Sequence, residues 1–151
     1  AIAAMLLQDY YPEKLNMEKV MFLLLIHDLG EIYAGDTWVF DDEKKVHAHD
    51  RELASIEKTM SFLPEATYLN TKHSWLEFEK GQSPEARYAR VIDALVPLIN
   101  HLEVSEVNYN PDHIRSEMVL EKKKFIKSES KELWKLTEEL VQESVEKGLY
   151  L

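Results

Sequence analysis

The chain has 151 residues, of which 45% are hydrophobic and 30% charged, a composition typical of one soluble globular domain with its own core. Its net charge of −10 argues against a protein that binds along a nucleic-acid polymer, because such binding depends on contacts between cations and phosphates. The absence of cysteine excludes disulfides, thiolate catalysis and cysteine-based zinc sites, and it fits a cytoplasmic location.

The sequence is typical of a series of helices, and several of their starts carry capping patterns. Asn16 is a plausible N-cap, and both Ser83-Pro84 and Asn110-Pro111 place a capping residue directly before proline. The predicted helices cover about residues 1–8, 16–33, 41–60, 65–80, 83–103, 111–127 and 130–147. No useful length of sequence alternates apolar and polar residues as a strand does. We therefore predict an all-α fold of about six or seven helices.

We predict that residues 1–151 form a single domain whose beginning is missing, since Ala1 is not Met and already lies in a helical pattern. No apolar run reaches the roughly 18 residues of a membrane span. The first residues also lack the basic segment of a signal peptide. We therefore expect no contact with a membrane.

A strongly apolar segment, LLLIHDLGEIYAGDT (Leu23–Thr37), ends in side chains that commonly bind metals. His27, Asp28 and Glu31 lie three or four residues apart or next to one another, so they share one face of a helix. An imidazole together with carboxylates suits Mn, Fe, Co or Zn better than Ca. The His-Asp pair alone fits a buried histidine in a polar last turn better than it fits a metal site.

Asp93 stands alone in a second apolar segment, RVIDALVPLI. A buried carboxylate without a partner is costly, so we expect it to be paired, protonated or bound to a cation. Arg90, three residues earlier, offers a salt bridge, and this pattern by itself leaves a salt bridge and a metal ligand equally open. A metal shared with His27 and Asp28 explains both apolar segments together.

These residues resemble the H…HD…D pattern of the HD domain, a helical superfamily of metal-dependent phosphohydrolases. Two longer motifs, HDLGEIYAGDT and SWLEFEKGQSPEARYARVIDALVPLI, resemble the branch that acts as 5′-deoxynucleotidases, and the resemblance spans about residues 1–102. It implies hydrolysis of (deoxy)nucleoside 5′-monophosphates to nucleoside and phosphate. It also implies a divalent metal ion (Mn, Co, Fe, Zn or Mg), a small nucleotide substrate and a homodimer.

The resemblance also implies a role for each matching residue. His27, Asp28 and Asp93 match three of the four metal ligands, and the first ligand, a histidine, would precede Ala1 and is not in this sequence. Glu31 matches an acidic residue that orients water beside the metal or holds a second ion. Asp36 matches an aspartate that takes part in catalysis or in further metal binding, and either residue would orient or deprotonate the attacking water. Two other functions stay open: hydrolysis of a phosphodiester or another phosphorylated metabolite, and a non-catalytic helical module with a structural metal site.

Other polar residues near these motifs are expected to be structural. We expect a solvated surface for His47 and His49, and for the basic run EKKKFIK (Glu121–Lys127). Glu77 and Glu79 are interpreted as surface charges of a helix, with a role beside the site as the alternative. Trp75 and Trp134 are expected to be core or interface residues.

Overall fold

The computed structural model describes residues 1–35, 40 and 47–151, and every regular element in these ranges is a helix, so the all-α prediction is confirmed. The α-helices are α1 (Ile2–Leu7), α2 (Met17–Ile26), α3 (Glu31–Ala34), α4 (Ala48–Met60), α5 (Glu65–Lys80), α6 (Pro84–Val104), α7 (Ser116–Lys123), α8 (Ile126–Glu129) and α9 (Lys131–Glu146). Gln8–Tyr10 and His27–Gly30 form 3-10 helices. These α-helices outnumber the predicted six or seven because two predicted helices are divided: 16–33 contains α2 and α3, and 111–127 is replaced by α7 and α8. None of the described helices is long and apolar enough to cross a membrane.

Three helices begin at side-chain caps. Asn16, Ser83 and Ser130 each accept a hydrogen bond from the backbone N–H three residues later, which satisfies a donor that the first turn of a helix leaves free. Pro84 occupies the first position of α6, as predicted. The starts of α2, α6 and α9 therefore follow from local sequence.

The helix predicted from about residue 111 begins instead at Ser116. The side chain of Asn110 accepts a hydrogen bond from the backbone N–H of Ile114 and donates one to its carbonyl. Asn110 thus closes a turn rather than capping a helix. The proposed start at Asp41 and Asp42 lies outside the described residues.

Helix α6 is the centre of the fold, with α2, α5 and α9 packed against it. Its residues Tyr88, Ile92 and Leu95 are fully buried and share one cluster with Leu23 of α2 and Leu133 of α9. A second cluster lies under the end of α2 and consists of Ile26, Ile56, Met60 and Trp75. Because Ile26 belongs to this second cluster, the cluster anchors the backbone directly before His27 and Asp28.

Helix α2 ends at Ile26, whereas the sequence predicted one continuous helix to about Tyr33. The buried indole of Trp75 donates a hydrogen bond to the carbonyl of His27 over 3.0 Å, so α5 supplies a partner for this carbonyl. Gly30 allows α4 and α5 to approach, since a Cβ there would lie 2.9 Å from Glu52 Cβ and 3.2 Å from Trp75 Cζ2. Packing by residues distant in sequence therefore accounts for the 3-10 turn.

Candidate active site

His27 lies at the centre of a polar cluster between the end of α2 and the middle of α6. Its Nε2 lies 3.0 Å from Asp93 Oδ1 and 3.1 Å from Asp28 Oδ1. The imidazole is mostly buried against the ring of Phe78, while the side chains of Asp28 and Asp93 are 68% and 47% exposed. The structure thus brings these three predicted residues into contact and leaves the carboxylate side open to solvent.

Both ring nitrogens of His27 face hydrogen-bond acceptors. Nδ1 lies 2.9 Å from the carbonyl oxygen of Leu24, which can only accept, so Nδ1 carries a proton. Nε2 faces the carboxylates of Asp28 and Asp93. A neutral imidazole has only one N–H, so its Nε2 would turn a lone pair toward two anions. Either a second proton or a cation resolves this conflict.

A proton on Nε2 would remove the conflict, and the environment of His27 favours that proton because it raises the pKa of the ring. Burial of the ring lowers this pKa, but the hydrogen bond to Asp93 and the charges of Asp93 and Asp28 outweigh burial and raise it above its ordinary value. The ring is therefore protonated more readily than a free histidine.

A divalent cation is the other resolution, and the donor set fits one. Metal-binding histidines commonly donate their second ring N–H to a backbone carbonyl, as His27 does to Leu24. Ligand atoms at right angles, about 2.1 Å from an ion, are about 3 Å apart, which is close to the two separations at Nε2. Yet the described residues contain no group of three or more His, Cys, Asp or Glu side chains arranged to hold a metal ion. The donor chemistry fits a metal ion, and the role of these residues as metal ligands stays a prediction.

Glu31 follows the cluster by one turn of 3-10 helix. Its backbone N–H donates to the carbonyl of Asp28, and residues three apart in a 3-10 helix are eclipsed. Glu31 therefore starts on the same side of the turn as Asp28. Asp36 lies outside the described residues, and its catalytic role stays a prediction.

The salt bridge considered for Asp93 is not the arrangement that forms. Asp93 contacts His27, whereas Arg90 donates from Nη1 to the carbonyl of Glu79 over 2.6 Å. His49 is also more than a solvated residue, since its ring stacks on Trp75 at 5.6 Å and its Nδ1 lies 3.5 Å from Glu79 Oε2. Glu79, His49 and Trp75 thus form a support behind the backbone of His27.

Lys123 lies next to the candidate site, a position that sequence reasoning missed. The basic run Glu121–Lys127 was expected to be solvated, and Lys124 is 66% exposed, but Lys123 is half-buried and donates to the carbonyl of Ala94 over 2.6 Å. Burial lowers the pKa of Lys123, and the negative charge of Asp93 opposes that shift. The sequence holds no signal for this contact, because Lys123 and Lys124 are neighbours in one basic run and only Lys123 reaches the backbone of α6.

Comparison with known proteins identifies the family. The sequence model of the HD domain matches residues 1–134. The chain belongs to the HD domain family. The resemblance to the HD domain is therefore confirmed, and this domain accounts for most of the chain.

Relatives of this HD domain protein carry informative names. The 5′-deoxynucleotidase HDDC2 of Xenopus laevis is 29% identical over 115 residues, which are 76% of this chain and 56% of that protein. The human 5′-deoxynucleotidase HDDC2 is 26% identical over 76% of this chain and 55% of its own length. The chain thus spans a little over half the length of these curated relatives.

A solved structure is similar over nearly the whole chain. It is the crystal structure of a predicted metal-dependent phosphohydrolase from Magnetospirillum magnetotacticum MS-1, with a TM-score of 0.82 and 31% identity. The alignment covers 99% of this chain and 77% of that one. That protein therefore shares the helical arrangement described above.

Proposed function

We propose that this HD domain protein is a metal-dependent phosphohydrolase that converts (deoxy)nucleoside 5′-monophosphates into nucleoside and phosphate. The observation that carries the proposal is at His27, whose Nδ1 must donate to Leu24 while its Nε2 faces Asp28 and Asp93. A divalent ion at Nε2 is one of the two resolutions of this conflict, and its support here is that the Leu24 carbonyl already holds the other ring N–H. The names of the relatives, 5′-deoxynucleotidase and predicted metal-dependent phosphohydrolase, support the reaction class.

Each residue of the cluster has a defined task in this proposal. His27, Asp28 and Asp93 would hold the ion, and the Leu24 carbonyl fixes the tautomer and orientation of the imidazole. A divalent ion supplies positive charge that stabilises the transferring phosphoryl group and activates water. Glu31, which starts on the same side as Asp28, would orient or deprotonate the attacking water, and we propose that Asp36 assists it.

The net charge of the protein narrows the choice of substrate, and the types of ligand atom narrow the choice of metal ion. A net charge of −10 favours a small nucleotide over a polymer, since only the local cation needs to attract the phosphate. One imidazole and two carboxylates suit Mn, Co, Fe, Zn or Mg, and we place Mn and Co first for testing. We also propose a cytoplasmic homodimer, for which sedimentation and cell fractionation are the tests.

The deciding experiment measures bound metal and phosphate release on the same samples. The wild type is tested with added Mn or Co on a panel of ribonucleoside and deoxyribonucleoside 5′-monophosphates. We expect metal-dependent release that is strongest for deoxynucleotides and is abolished in Asp28→Asn and Asp93→Asn. Glu138→Gln, at an exposed position of α9, is the control and should match the wild type.

Other outcomes separate the alternatives. Bound metal with release only from phosphodiesters or other phosphorylated metabolites would replace the substrate class. Bound metal without any release would favour a structural metal site in a non-catalytic module. Full activity and full metal content in Asp28→Asn would contradict the assignment of the cluster.

A further inference from the structure

A cavity of about 360 Å³ lies beside the candidate active site. Residues that line it include Pro97, His101, Asp112, Lys122, Lys123 and Tyr150. Asp93, Pro97 and His101 are spaced by four residues on α6, so they follow one face of the helix. At 1.5 Å per residue, the lining residues Pro97 and His101 lie about 6 and about 12 Å beyond Asp93 along the helix axis. The cavity therefore continues the surface that carries Asp93.

Lys123 provides a cation at the boundary between the cavity and Asp93. Lys123 lines the cavity, and its Nζ donates one hydrogen bond, to the carbonyl of Ala94, over 2.6 Å. Among the residues that the structure describes, this carbonyl is the single hydrogen-bond acceptor recorded for Nζ. An ammonium group has three N–H donors, and a half-buried one is stabilised by an anion. Two donors thus remain for an anionic ligand.

The part of the cavity farther from Asp93 offers flat and mainly uncharged surfaces. The rings of His101 and Tyr150 pack at a centroid distance of 5.4 Å and an angle of 32°. Ser105 Oγ lies 2.8 Å from His101 Nδ1 and helps to orient that ring. Burial and the charge of Lys147 lower the pKa of His101, which keeps the imidazole neutral at neutral pH. Neutral aromatic faces suit a planar heterocycle.

We propose that this cavity receives the nucleoside part of the substrate, and that Lys123 binds its phosphate-bearing end at the boundary with the metal cluster. The assignment rests on the proposed function in that it takes a nucleoside 5′-monophosphate as the substrate. The phosphate would lie at the cluster of His27, Asp28 and Asp93, with the base one to two helical turns away toward Tyr150. Lys123 would then contribute to substrate binding in addition to the metal cluster.

The first test removes the charge of Lys123 in the full chain. Lys123→Met keeps most of the side-chain length, Lys123→Arg keeps the charge, and Lys124→Met is the matched control at an exposed neighbour. We expect Lys123→Met to raise KM for deoxythymidine 5′-monophosphate by about tenfold or more, since hydrogen bonds between charged groups are strong. Metal content and kcat should change much less, and Lys123→Arg should recover most of the lost affinity.

A second test fills the cavity without changing charge. Ile114, another lining residue, is replaced by Trp, and the variant is assayed on deoxythymidine 5′-monophosphate and on 2-deoxyribose 5-phosphate, which lacks the base. We expect KM to rise for the nucleotide and to stay near the wild-type value for the sugar phosphate. This variant also keeps the proposal testable if Lys123→Met does not fold.

Calorimetric titration of deoxythymidine 5′-monophosphate into the protein without added metal separates this inference from the proposed function. Binding that is lost in Lys123→Met and Ile114→Trp supports the cavity even if no hydrolysis occurs. Hydrolysis by the wild type with unchanged KM in both variants overturns the cavity and leaves the phosphohydrolase intact. Equal losses for both substrates in Ile114→Trp, or a failure of Lys123→Arg to recover affinity, would indicate a structural role and also overturn it.

Discussion

The indole Nε1 of Trp75 and the backbone carbonyl of His27 are joined by a 3.0 Å hydrogen bond between α5 and the end of α2. Trp75 is fully buried, and the ring of His49 stacks on it at 5.6 Å. The position of the histidine at the centre of the cluster is therefore set by a residue 48 positions later in the chain. In the proposed metal site, support of this kind would orient His27 without touching the ion.

Replacing Trp75 with Phe should lower both stability and metal affinity. The change leaves the carbonyl of His27 without its indole donor and opens a small cavity, which together should reduce the free energy of unfolding by about 2 kcal/mol. Urea denaturation followed by circular dichroism measures stability, and calorimetry with Mn measures affinity.

Trp134→Phe is the matched control for this change. Trp134 lies on α9, and no partner is recorded for its buried Nε1 among the described residues, so its loss removes no such hydrogen bond. We expect a smaller loss of stability there and unchanged metal affinity. Equal effects of the two substitutions on Mn binding would contradict the role assigned to Trp75.

The elements that depend on local sequence could be predicted, and those that depend on distant contacts could not. The start of α6 at Ser83-Pro84 needs only a capping hydroxyl and a proline, both visible in the sequence. The end of α2 was predicted wrongly because it depends on Trp75 and on the close approach at Gly30, neither of which changes the apolar pattern of that helix.

The same distinction holds at the candidate site. His27, Asp28 and Asp93 were found because charge inside an apolar segment is rare and calls for a partner. Lys123 was missed because it lies in a basic run that is otherwise typical of a solvated helix face. Lys123 differs from Lys124 only in that α7 packs beside Ala94 and brings Lys123 to its carbonyl. This packing is tertiary structure, which the local sequence does not reveal.

Glu77 should contribute stability that is lost in acid. Burial raises its pKa, but hydrogen bonds from Lys19 and Ser83 and the positive charge of Lys19 outweigh burial and lower the pKa below its ordinary value of 4.5. A carboxyl whose pKa is lower in the folded state stabilises the fold above the unfolded pKa, and this stability is lost as pH falls through the folded pKa. The loss should therefore begin near pH 4.5 and continue below it.

The test compares Glu77→Gln with the wild type in urea between pH 7 and pH 3. We expect the free energy of unfolding of the variant to be lower at pH 7 and to fall less steeply below about pH 4.5. Glu138→Gln, an exposed carboxyl on α9, should follow the wild-type curve. Parallel curves for Glu77→Gln and the wild type would show that the contacts with Lys19 and Ser83 do not affect stability.

His101 should titrate below the usual range of a histidine. Burial and, secondarily, the charge of Lys147 lower its pKa from 6.5, so the folded state binds this proton less well than the unfolded chain does. Its contribution to stability should be complete above pH 6.5 and should decline as pH falls from there through the folded pKa. NMR titration of the imidazole measures this pKa directly.

Lys147→Met should raise the pKa of His101 toward its ordinary value by removing the nearby positive charge. Lys124→Met removes a lysine charge at an exposed position of the chain and should leave the titration of His101 unchanged. A His101 pKa that does not move in Lys147→Met would leave burial as the sole cause of the shift.

Addition of Mn or Co should stabilise the wild type against heat, because an ion that binds only the folded state adds its binding free energy to folding. At a free concentration one hundred times Kd, this gain is about 2.7 kcal/mol. His27→Gln removes the imidazole nitrogen that both carboxylates contact, and Asp93→Asn removes the negative charge closest to it. Both variants should therefore show little or no rise in Tm, while Glu138→Gln should respond like the wild type.

This measurement needs no substrate, so it tests the metal cluster independently of the reaction. A full Tm response in Asp93→Asn would place the ion elsewhere and remove Asp93 from its ligands.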